Sequence, residues 1–73
     1  PNAQYLLGLS YKEGSGVPRD PLESYKWISL AAEAGNTQHV AARQALEQSY
    51  TPAMIAEGRR RADQFRMYQG VSN

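Results

Sequence analysis

Cysteine is absent from the 73 residues, which removes disulfide staples and thiolate metal ligands and leaves nothing that speaks for an oxidising compartment. A periplasmic or secreted home stays open all the same. Charge of one sign is also lacking: eight Lys and Arg against seven Asp and Glu leave a formal +1. No whole-chain field therefore favours nucleic acid or an anionic membrane. Long apolar runs are missing, so no segment spans a bilayer, and no signal peptide is visible. The length allows one domain at most, near the lower limit for a self-sufficient core. The sequence opens on Pro1 rather than methionine and almost inside a helical pattern. It is expected to be a fragment, and its localisation is left open.

What is present is helical periodicity with clear punctuation. From Asn2 to Glu13, residues Ala3, Leu7, Gly8 and Tyr11 gather on one half of a helical wheel, with Asn2 as the expected cap. Gly8 costs a helix interior up to about 1 kcal/mol relative to alanine, so its use predicts close approach by a neighbouring backbone. The other half carries Tyr5, Leu6, Leu9, Lys12 and Glu13, too apolar for a plain solvated face. Gly14 fits a left-handed helix end, Gly16 a sharp turn, and Val17 a plug between two helices. Asp20-Pro21-Leu22-Glu23 predicts a helix start with an aspartate cap, a first-turn proline and a glutamate reaching back. The second helix is expected over 21–34, with Ser24, Trp27, Ile28 and Ala31 as its stripe, Leu22, Tyr25 and Ala32 widening it, and Gly35 closing it. Asn36 predicts a third helix over 37–49, and Thr51-Pro52 a fourth over 52–68, with Tyr50 stapling onto Ile55. Ile55, Gly58, Ala62 and Phe65 form that last helix's stripe.

Residues 1–35 resemble the Sel-one-like repeat, a relative of the tetratricopeptide repeat. The positions that carry the resemblance are Ala3, Leu7-Gly8, Tyr11, Gly14, Gly16-Val17, Asp20, Ser24, Trp27, Ala31-Ala32 and Gly35. Ser24 alone departs from the pattern, and serine for alanine conserves size. The resemblance implies an all-α fold, an α/α superhelix fragment of four antiparallel helices. After Gly35 the pattern breaks. Arg43-Gln44 and Glu47 stand near where a further repeat would need leucine-glycine and then tyrosine. Residues 36–69 instead resemble the two-helix segment that closes such arrays, and 70–73 are expected to be a frayed tail.

Chemistry-bearing motifs are sparse. His39 is the sole histidine and is expected on the surface rather than as a metal ligand or base. Gly8-Leu9-Ser10-Tyr11-Lys12 fails as a nucleophile elbow, since Lys12 stands where glycine is required. Gly14-Ser15-Gly16 lacks the rest of a phosphate loop. Arg59-Arg60-Arg61 with Arg66 point around the helix rather than to one side. Glu57 with Arg61, Arg59 with Asp63, and Asp63 with Arg66 sit at pairing distances, as on a solvated, self-paired face. Trp27, Tyr11 and Tyr25 belong to the repeat's packing, and Trp27→Ala is expected to cost about 3–5 kcal/mol if the ring is fully buried.

No catalytic constellation, cofactor site or metal site is expected. The resemblance implies a non-catalytic protein-interaction scaffold, an adaptor or assembly part with a protein or peptide partner, and a bacterial source. Family members act in quality control, envelope and polysaccharide assembly, signalling and host–pathogen contact. Tyr5, Leu6, Leu9 and Lys12 are the expected partner-binding residues. Their face either lines the concave groove or meets a preceding repeat, and if uncovered it would drive self-association. The alternative is a small nucleic-acid-binding domain using the arginine-bearing last helix, against which the long first connection stands. An enzyme of the cysteine-rich kind is a poor match to a chain without cysteine.

Overall fold

The computed structural model describes residues 2–71, with side chains for 3–68. Four helices occupy it: α1 (Asn2–Glu13), α2 (Pro21–Ala32), α3 (Thr37–Ser49) and α4 (Pro52–Val71). No strand occurs among the described residues. The fold is all-α, the α/α type that the repeat pattern implies. The Asn2 cap expected from sequence lies outside the described side chains, as do Ser72 and Asn73 of the expected tail.

Local chemistry sets most boundaries. Gly14, at φ 74°, ends α1, and the Gly14 and Ser15 amides both donate to the Ser10 carbonyl, at 2.7 and 3.0 Å. Asp20 Oδ1 accepts from the Leu22 and Glu23 amides at 3.1 and 3.2 Å, capping α2 behind Pro21. The reciprocal half of the capping box does not form. The Asp20 amide donates instead to the Tyr11 carbonyl at 3.0 Å, and Glu23 turns to Lys26 and Arg61. Helix α2 stops at Ala32, two residues before the expected end. The Glu33, Ala34 and Gly35 amides reach back only three residues, a tighter winding than α-helix. Asn36 and Thr51 cap α3 and α4 as expected, and α4 runs on through Gly70 and Val71.

Helix α2 is the centre of the molecule. It packs along α1, α3 and α4, while those three approach one another at few points. Tyr25, Ile28 and Leu46 form the core cluster, with Tyr5, Leu9, Ala42, Tyr50 and Ile55 packed on it. Two glycines make the close approaches possible. A Cβ on Gly8 would lie 2.5 Å from Ile28 Cγ1 and 3.2 Å from the backbone of Ser24 and Ile28, and one on Gly58 would intrude on the Tyr25 ring.

Candidate partner-binding site

The four residues expected to meet a partner divide between two environments. Tyr5 and Leu9 are half-buried and pack on the core cluster, on the side of α1 that turns toward α3. The Tyr5 ring stacks on His39 at 4.3 Å between centroids. This corrects the expectation of a surface histidine, for His39 is 4% exposed and lies inside the fold. The face of Tyr5 and Leu9, unclaimed within the repeat itself, lies against the core cluster, with Tyr5 on α3. A wheel drawn on α1 alone cannot show which face the returning chain will claim. Leu6, in contrast, is 60% exposed, and Lys12 is exposed as well.

Lys12 stands at the edge of a cleft of about 260 Å³ between the ends of α1 and α3. Arg19, Pro21, Ala45, Leu46, Ser49 and Tyr50 complete its lining. The bond from the Asp20 amide to the Tyr11 carbonyl brings the returning connection beside the end of α1. Lys12 and Arg19 flank that bond in sequence, so the two cations arrive at one cleft. Neither makes an ion pair among the described residues. Burial pushes the Tyr50 hydroxyl above the usual tyrosine range, so it stays neutral beside them. Arg19 and Tyr50 escape a sequence reading because their meeting depends on a backbone bond from the connection to α1 and on the packing of the end of α3.

A second, more polar cleft of about 390 Å³ opens between α3 and α4 over Tyr25 and Ser29 of α2. Its charged rim is largely self-satisfied. Arg59 pairs with Glu47 at 3.6 Å, and Arg66 with Glu33 at 2.9 Å and Asp63 at 2.7 Å. The other arginines of α4 are engaged too: Arg60 on Glu57 at 2.9 Å, and Arg61 on Glu23 at 3.0 Å and Glu57 at 3.2 Å. Hydrogen bonds from Arg60 and Arg61 hold the Glu57 carboxyl below the usual range. The expected Arg59–Asp63 pair is replaced by Arg59–Glu47, since α3 offers a carboxylate from across the cleft. These pairs bind α4 to α2 and α3 as well as to itself.

The described residues contain no gathering of three His, Asp or Glu side chains fit to hold a metal, and no helix long and apolar enough to cross a membrane. Among known families, the model described as Sel1 repeat matches residues 1–36. The chain carries a Sel1 repeat. No curated protein and no solved structure matches it. The Sel1 repeat is thus α1, its connection and α2, and its pattern positions fall where their chemistry suits them. Gly8, Ser24, Ala31 and Ala32 are buried where helices meet, and Leu7, Tyr11 and Val17 are half-buried. Asp20 caps α2, while Ala3, Gly14, Gly16 and Gly35 are exposed. Trp27 is the exception to the reading from sequence. It is half-buried at the junction of α2 and α4, edge-on to Phe65 at 5.0 Å and beneath Lys26.

Proposed function

We propose that this Sel1-repeat chain is a non-catalytic interaction module, an adaptor or assembly part whose ligand is a segment of another protein. Sel1 repeats generally mediate protein–protein interaction, and the match over residues 1–36 carries the reading. Helices α3 and α4 serve as its closing pair: they cover α2 and turn charged residues outward. Of the four residues expected to meet a partner, Leu6 and Lys12 are exposed, while Tyr5 and Leu9 are half-buried against the core cluster. The engagement of each α4 arginine by carboxylates weighs against a phosphate-binding role for that helix.

Peptide display against the folded chain tests the proposal, with each selected peptide then titrated by calorimetry. Saturable binding with Kd on the order of micromolar is the expected result. Steeply salt-dependent binding to a DNA duplex, with no peptide selected, would replace this reading with nucleic-acid recognition.

A further inference from the structure

The cleft between the ends of α1 and α3 has the features of a specific receptor. We propose that it takes an acidic peptide segment, seating one apolar side chain over Leu46 and Tyr50 while Lys12 and Arg19 hold flanking carboxylates. This rests on the reading of the chain as an interaction module and names the partner's chemistry.

Charge is the first argument. The chain has eight cations, and five of them (Lys26, Arg59, Arg60, Arg61 and Arg66) sit in ion pairs. Of the three without one among the described residues, Lys12 and Arg19 line this single cleft, whose lining contains no carboxylate. Helix electrostatics accounts for only one of them. Lys12 lies in the last turn of α1, where a cation suits the helix dipole. Arg19 directly precedes the cap of α2, where the dipole disfavours a positive charge. Its placement beside Lys12 therefore works against both the α2 dipole and like-charge repulsion. An incoming anion relieves both.

Shape is the second. At about 260 Å³ the cleft is smaller than the ~300–1,000 Å³ usual for sites that enclose whole small molecules. It suits one anchoring side chain with its neighbours held at the rim. The floor is ready for that anchor: Leu46 is a core residue, and Pro21, Ala45 and the Tyr50 ring add apolar surface around it. The site is also fixed. Gly14, at φ 74°, turns the chain out of α1, and the Asp20–Tyr11 backbone bond holds the connection against α1. The backbone that carries the two cations is thus in place before a ligand arrives, so only their side chains are ordered by binding.

Fluorescence anisotropy with a labelled hexapeptide, leucine between aspartates and blocked at both ends, tests the assignment on the 73-residue chain. Saturable binding is expected. It should weaken at least tenfold in the double variant Lys12→Glu, Arg19→Glu, weaken again on raising sodium chloride, and vanish when asparagines replace the aspartates. Both substituted residues are exposed, so unchanged thermal melts should accompany the loss. Absence of binding, or binding indifferent to the double reversal, would overturn the proposal. So would displacement of the peptide by a DNA duplex at equal charge concentration. Display-selected peptides that bind the double variant as tightly as the original chain would remove the acidic ligand from this cleft and leave the interaction module standing.

Discussion

Tyr25 ties three helices together through one side chain. It is 1% exposed, belongs to the cluster with Leu46 of α3, lies against Gly58 of α4, and donates its hydroxyl to Glu47 Oε2 at 2.6 Å. Burial, and then the bond to Glu47, raise its pKa above the ordinary 10.0. The stability that comes from its neutral form is therefore complete below the unfolded value and is lost as pH rises through the folded one. Tyr25→Phe should lower stability near neutral pH by about 1.5–3 kcal/mol, the worth of a hydrogen bond to a charged acceptor. It should also flatten the alkaline limb of stability against pH, with a residual slope from Tyr50, whose hydroxyl burial also raises. Urea unfolding across the range from about pH 7 to 11 would show both effects, and an alkaline limb unchanged in the variant would contradict them. From the sequence Tyr25 was legible as part of the repeat's packing and as a residue widening the α2 stripe, but not as the point where the helices join. A wheel orders residues by angle, and Tyr25 occupies the angle at which three helices converge. The better signal was Gly58, a glycine inside α4 that marks where a bulky neighbour must lie.

Helix α4 is held by features of unequal worth. Trp27 meets Phe65 edge-on at 5.0 Å, and Arg61 and Arg66 reach Glu23 and Glu33 of α2 and its end. Partly exposed ion pairs of this kind contribute about 0.2–1 kcal/mol each and weaken with salt, so the aromatic pair is the larger single attachment. Trp27 is half-buried, and its Nε1 has no hydrogen-bond partner among the described residues, so its ring contacts, with Phe65 and with the Lys26 ammonium at 4.4 Å, hold it. Trp27→Ala should then cost about 2 kcal/mol, below the ~3–5 kcal/mol of a fully buried ring. A double-mutant cycle with Phe65→Ala should return a coupling of about 0.5–1.5 kcal/mol. Zero coupling would mean that the rings merely adjoin. At this scale the sequence was most legible, because helix starts are local chemistry: Asp20, Asn36 and Thr51 each cap the helix they announce. Ends were harder. The sequence places the end of α4 at Tyr68, yet the helix, whose last turns carry the exposed Met67 and Tyr68, runs on through Val71. Backbone hydrogen bonding and good helix formers sustain those turns without a core to pack against, and periodicity cannot register them.

The whole molecule is arranged so that α2 is covered from three sides, and this decides what α1 has left to offer. Sequence alone gave α1 an apolar face of Tyr5, Leu6 and Leu9, enough to seek a second copy of the chain. The fold spends Tyr5 on His39 and Leu9 on the core cluster. Among the described residues, the large apolar side chains still exposed are Leu6 at 60% on α1, with Met67 at 69% and Tyr68 at 75% at the far end of α4. Scattered residues of this kind are ordinary on a protein surface, and a stable interface needs about 800 Å² from each partner. The chain is therefore expected to sediment as a monomer at about 100 μM, a concentration at which a standard-sized interface with micromolar Kd would be mostly assembled. Two variants separate the reasons. Leu6→Lys should change neither mass nor stability, whereas Leu9→Lys should leave the mass monomeric and lower the melting temperature, because it places an ammonium against the core. A dimer in the original chain that Leu6→Lys dissociates would instead make the α1 surface a self-association site.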